Sequence, residues 1–220
     1  MIEINQNFFS IVFIGYLNPL ILNHNFLIDN NILPIEKDPF KRFIKNEGGK
    51  QFTEFVATPL LSTIKYDYIH ITVEQHRFQI LDISKILPHE SVIANIAKKY
   101  FEVLPHTPLA MGGINFNYLL TFDSNESIDI FENQFVNKNI IQSKLELKNI
   151  MMGDYAIKFV SEETFGELRI NAIKENPFKK ILNINYENNN VSSFLENLDS
   201  ISIKYNQAQE IINIITNLEG

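Results

Sequence analysis

The sequence predicts an α+β fold, a predominantly antiparallel sheet covered by amphipathic helices that include a C-terminal one. Three observations carry this expectation. Several runs rich in β-branched and aromatic residues alternate apolar with polar at a period of two, as half-buried strands do. Two other stretches, 92–101 and 201–215, repeat their apolar residues at helical spacing. Turn residues separate the strands by distances that suit hairpins better than long crossovers. With 220 residues, 45% of them hydrophobic, the chain is read as a single α+β domain over 1–220.

Taken in order, Phe8 to Tyr16 reads as a first strand ended by Asn18-Pro19, and the Asn- and Asp-rich stretch from Asn23 to Pro34 reads as a loop. "DPFKRFIKNEGG" reads as a short helix: Asp38 caps, Pro39 suits the first helical position, and Gly48 takes the left-handed end. Its outer face gathers Lys41, Arg42, Lys45 and Lys50, either a solvated surface or a binding patch for phosphate or an acidic partner. In "YDYIHITVEQHRFQILDI", Tyr66, Tyr68, His70, Thr72 and Glu74 fall opposite Asp67, Ile69, Ile71 and Val73. A turn at Gln75-His76 sends the chain back through Phe78, Ile80 and Ile83. Val92, Ile93, Ile96, Ala97, Tyr100 and Phe101 form the stripe of a helix that stops before Pro105.

The pair Gly112-Gly113 is followed by Ile114, Phe116, Tyr118, Leu120 and Phe122 on one strand face, whereas a phosphate cradle needs glycines before a helix. The pair is therefore expected to mark a bulge or a tight strand entry. Ser124 caps a short helix with Ile128, Phe131 and Phe135 inward. Three strands follow, "KLELKNIMMGDYAIKFVSEE", "FGELRINAIK" and "ILNINYENNN", with turns near Gly166 and Pro177. Ile201, Tyr205, Ala208, Ile212 and Ile215 then stripe the closing helix. "TPLLSTIKYDYI" at 58–69 echoes "TPLAMGGINFNYL" at 107–119, through coincidence of a biased composition or through a duplicated strand unit. The second reading implies two related halves, about 1–104 and 105–220.

Composition narrows the chemistry. Nineteen basic against 26 acidic residues give a net charge of -7, which opposes broad attraction to nucleic acid or anionic lipid. There is no cysteine, hence no thiolate chemistry or disulfide, which fits a cytoplasmic protein. No apolar run reaches the ~20 residues that span a bilayer, so no membrane partner is expected. Nucleoside-phosphate motifs and a Gly-x-Ser-x-Gly elbow are absent, and no cofactor is implied.

What remains for catalysis is thin. His70 and Glu74 share a strand face, with His76, His89 or His106 as conceivable further ligands, so a metal-dependent hydrolase or nuclease is one alternative; the spacing matches no metal motif, and each His reads equally as structural. Glu162 with Glu163, or Glu74 with Asp82, are the carboxylate pairs. Tyr66, Tyr68, Phe116 and Tyr118 would either stack bases or lie buried, and the acidic balance favours burial.

The block "YFEVLPHTPLAMGGINFNY", with Thr107, Pro108, Gly113, Ile114 and Asn115, together with the closing helix, resembles a sporadically distributed set of bacterial proteins found near mobile elements or phage-defence genes. The resemblance covers the latter half of the chain and brings no catalytic residues. It implies an accessory role. The leading expectation is a non-enzymatic interaction or scaffold component of a bacterial multi-protein system, antiviral defence among them, acting through a protein partner or self-association. A ligand held between the sheet and the closing helix is a third possibility.

Overall fold

The computed structural model describes residues 2–37, 40, 52–135, 154–161 and 164–216. These build one nine-stranded antiparallel sheet and five α-helices, an α+β fold with a C-terminal helix. The strands are β1 (Ile2–Gly15), β2 (Glu54–Ala57), β3 (Leu61–Tyr66), β4 (Ile69–Glu74), β5 (Arg77–Asp82), β6 (Leu109–Phe122), β7 (Tyr155–Ser161), β8 (Thr164–Ala172) and β9 (Lys179–Asn188). The helices are α1 (His24–Asp29), α2 (Ile93–Val103), α3 (Asn125–Asn133), α4 (Val191–Glu196) and α5 (Ile201–Thr216).

The strand order is β2-β3-β4-β5-β1-β6-β9-β8-β7. The long strands β1 and β6 form the central antiparallel pair, and the chain runs the same course on each side of it. From β1 it passes through α1 to a meander whose last strand, β5, returns to pair with β1, and then to α2. From β6 it passes through α3 to a meander whose last strand, β9, returns to pair with β6, and then to α4 and α5.

Side chains alternate across this sheet. One face carries Tyr66, Ile69, Phe9, Phe116, Ile184 and Leu168, all buried, and the helices are anchored on it by particular contacts. From α2, Phe101 lies 4.6 Å from Phe13, and Tyr100 lies 4.8 Å from Phe78. Phe131 of α3 meets Phe122 at 5.2 Å, and Phe194 of α4 meets Phe13 at 5.4 Å. On α5, Tyr205 meets Phe116 at 5.6 Å, and Gln209 Nε2 donates to Tyr118 Oη at 3.0 Å. In α1, His24 Nδ1 shares a 3.0 Å hydrogen bond with Tyr66 Oη. Tyr66, Phe116 and Tyr118 are thus buried.

Several expectations need correction. The first strand begins at Ile2: a register shift between Gln6 and Phe8 reverses the alternation, so Ile4 and Phe9 both reach the core face although an even number of residues lies between them. The stretch from Asn23 is a helical turn, because the Asn23 side chain accepts from the Phe26 amide at 2.9 Å and caps α1. Tyr66 and Tyr68 do not share a strand with His70. The chain turns at Asp67-Tyr68, where Asp67 adopts a φ of 43°, and Tyr66 pairs with Ile69. The return strand buries Asp82, leaving Ile83 exposed beyond its end.

Gly112 and Gly113 sit in regular register with Phe13 and Val12, and the two shifts in this pair of strands lie elsewhere, between Gln6 and Phe8 and between Ile14 and Gly15. The reason for glycine is packing: a Cβ on Gly112 would lie 2.2 Å from Cδ1 of Phe194, whose ring fills that space. Gly166 is likewise inside β8, under the ring of Phe159, and marks no turn. α4 was not anticipated. The basic helix expected from Asp38 to Gly49 lies outside the described residues except for Phe40, which is buried with its ring 5.1 Å from that of Tyr66.

Candidate functional site

The second face of the sheet is organised in cross-strand rows, and their composition changes from flank to centre. One row reads Lys65, His70, Leu81, Ser10, Asn115, Asn185, Glu167 and Lys158 from β3 to β7. The next reads Thr63, Thr72, Gln79, Val12, Gly113, Glu187 and Phe165. A third, on the other side, holds Phe8, Asn117, Asn183 and Arg169. Charged groups occupy β2 to β4 on one side and β7 to β9 on the other, whereas in these three rows β1, β5 and β6 present hydroxyl, amide, aliphatic and Phe8 side chains; their charged groups on this face, Arg77 opposite Ile14 and Glu3 opposite Thr121, lie beyond the rows at the two ends.

The central amides hold one another. Asn183 Nδ2 donates to Asn117 Oδ1 at 3.1 Å, and Asn185 Nδ2 donates to Glu187 Oε1 at 2.7 Å. Gln79 Nε2 donates to Ser10 Oγ at 3.4 Å. Asn117 and Ser10 are only 7% and 1% exposed, and Asn115, Asn183 and Asn185 are half-buried. Each amide locked this way loses little further freedom when another surface arrives. The flanks are charged but paired: Lys65 Nζ lies 2.8 Å from Glu54, and Arg169 is hydrogen-bonded to Glu167.

The expected site residues disperse over this face and its rim. His70 is half-buried beside Lys65; burial first, and the Lys65 ammonium second, hold its imidazole below the ordinary value, with Glu54 opposing. Glu74 stands four residues further along β4, ~13 Å away at the strand rise, too far to share an ion with His70. His76 occupies the tight turn between β4 and β5, as expected for Gln75-His76. There its ring stands edge-on to Tyr16 at 5.2 Å, beside a cleft of about 340 Å³ formed with Ile14, Gly15 and Pro108.

Asp82 points to the core face, where its carboxylate takes the Ser84 amide at 2.8 Å and the hydroxyls of Ser84 and Ser91. Glu74 points to the opposite face, so the two do not act as a pair. Among the described residues no three His, Asp or Glu side chains gather as a metal site would require. Lys41, Arg42, Lys45, Lys50, Glu162 and Glu163 lie outside the described residues. No helix among those described is long and apolar enough to cross a membrane.

The polar centre of the sheet is what sequence reasoning missed. Its signal is the pair of segments "INFNY" and "NINYE", in which asparagine alternates strictly with large apolar residues. The apolar partners mark the core, and the asparagines mark the opposite surface. Comparison with protein-family models and with curated proteins returns no match.

Proposed function

We propose that the chain is a non-enzymatic interaction component of a bacterial multi-protein system, in which amphipathic helices roof one sheet face and a protein partner docks on the other. One observation carries the reading: charge is depleted across the middle rows of a broad sheet face and gathers around them, on the flanking strands and, as Arg77 and Glu3, at the ends of the central ones. Protein interfaces share this distribution, with a core poor in charged residues and a polar rim. The paired glutamates and arginine of the flanks set orientation more than affinity. An antiviral-defence setting rests on the resemblance through Thr107, Pro108, Gly113, Ile114 and Asn115, of which Gly113 and Asn115 stand on this face.

The test is capture from the native host with the tagged chain, followed by mass analysis, alongside light scattering over graded concentrations. Wild type is expected to retain one stoichiometric companion, or a second copy of itself, and Val12→Glu with Asn185→Lys to lose it while melting as wild type does. An inert monomer that captures nothing overturns the reading, as does a companion held equally well by the variant. Elemental analysis separates it from a metal-dependent hydrolase: a stoichiometric metal lost in His70→Ala would replace this reading with that one.

A further inference from the structure

Two cross-strand rows of the second face run the full width of the nine-stranded sheet, and β1 is its middle strand. The first row begins with Glu54 and Lys65 on β2 and β3, has Ser10 at its midpoint, and ends with Glu167 and Lys158 on β8 and β7. Counted inward from either edge, the charges come in opposite order: carboxylate then ammonium from β2, ammonium then carboxylate from β7. The adjoining row has Val12 at its midpoint and apolar ends, Val56 on β2 and Phe165 and Val160 on β8 and β7. These three side chains are 42%, 50% and 70% exposed.

A two-fold axis along β1 lays an identical face over this one with each row reversed. Glu54 of one copy then faces Lys158 of the other, Lys65 faces Glu167, and each attraction occurs twice. The positions between meet as His70 on Asn185 and Leu81 on Asn115, with Ser10 on itself, so no charge is left buried at the centre. In the adjoining row Val56 covers Val160, and Val12 meets its own equivalent. A contact between identical surfaces demands this self-complementarity, because residue i meeting j entails j meeting i. The chain's net charge of -7 opposes self-association, but the first row carries two carboxylates against two ammonium groups and is itself neutral.

Taking the second face as the interface proposed above, we infer that its occupant is a second copy of this chain, docked sheet on sheet about a two-fold axis along β1. Nine strands ~4.8 Å apart, each giving about six residues at a rise of ~3.4 Å, form a face of roughly 900 Å² per copy. A standard stable interface takes about 800 Å² from each partner. Aligned packing of this kind joins the two sheets of a β-sandwich within one chain.

Sedimentation and light scattering of the full chain over graded concentrations test the assignment, with Lys65→Glu and Glu167→Lys as variants. Wild type is expected to be a dimer. Either variant alone sets like charges together at two places across the axis and should dissociate about tenfold more readily. An equimolar mixture of the two restores both attractions and should recover one-to-one mixed dimers. Each reversal also breaks an ion pair within its own chain, with Glu54 or with Arg169. Mixing cannot repair that loss or a defect of folding, so recovery reports the contact between copies. Val12→Glu, which opposes two carboxylates on the axis, should dissociate as well. A dimer indifferent to these variants, or a mixture no more dimeric than its components, overturns the inference. A monomeric wild type also overturns it: if that monomer retains a different companion from its host, the interface reading stands, and if it retains none, both fall.

Discussion

Lys180 and Glu132 form an ion pair at 2.7 Å with each side chain 4% exposed, bridging β9 to α3 on the core face. Removing one partner of a buried pair strands the other, which typically costs ~3–5 kcal/mol, whereas replacing both by apolar groups of similar volume is often neutral. Lys180→Met is therefore expected to destabilise by about that amount in denaturant unfolding, and Lys180→Met with Glu132→Leu to recover most of it. A second residue-scale effect concerns pH. His24 is buried against Tyr66, and burial lowers its pKa from 6.5. The unfolded chain then takes up the proton first, so stability is complete above the unfolded value and falls as pH drops through about 6.5 toward the folded value. His70 is shifted in the same direction and adds to the slope. Melting temperatures between about pH 7 and about pH 5 should decline, and His24→Gln, which keeps a hydrogen-bonding side chain but does not titrate, should flatten the decline.

The elements that were legible in the sequence are those whose burial pattern has an uninterrupted period. In α2, Ile93, Ile96, Ala97, Tyr100 and Phe101 are all buried, as their spacing implies, and β4 alternates without a fault from Ile69 to Glu74. Legibility fails where one residue interrupts the period or a local hydrogen bond overrides composition. The shift at Gln6/Phe8 hides the first third of β1, the Asp67 turn joins two strands into one apparent run, and the Asn23 cap turns a loop-like composition into α1. The same reasoning explains α2's start, where Val92 at the cap position supplies no side-chain hydrogen bond. The clamp lies upstream: Asp82, 1% exposed at the end of β5, collects Ser84 and Ser91 and so fixes the connection into the helix. Asp82→Ala would leave three donors without their acceptor, and hydrogen bonds to a charged group contribute about 1.5–3 kcal/mol each at most in isolation. We expect a loss of roughly 2–3 kcal/mol in equilibrium unfolding, with hydrogen exchange accelerating first in the amides of 84–96.

At the scale of the whole molecule, the repeated course of the chain about β1 and β6 supports a proposal of two related halves, about 1–104 and 105–220. The Thr-Pro-Leu echo does not carry it: Thr58-Pro59-Leu60 forms the turn between β2 and β3, whereas Thr107-Pro108 leads into β6, and the topological counterpart of β6 is β1. If each half is a unit built on one long central strand, their junction is the ladder from Ile2↔Phe122 to Gly15↔Leu109. That ladder also sets the neutral centre of the second face, since Ser10, Val12, Asn115 and Asn117 all stand on it, so neither half holds the candidate interface alone. Separated, each half would expose β1 or β6 as a long unpaired edge with an aromatic side, a template for aggregation. Cutting the exposed connection between α2 and β6 tests this directly. Fragments 1–105 and 106–220 expressed together are expected to co-purify one to one with the spectrum and partner capture of the intact chain, while either fragment alone aggregates. Independent folding of one fragment as a soluble monomer would show that the β1–β6 ladder joins two autonomous domains rather than completing a shared sheet, and would move the candidate interface from the whole molecule to that fragment.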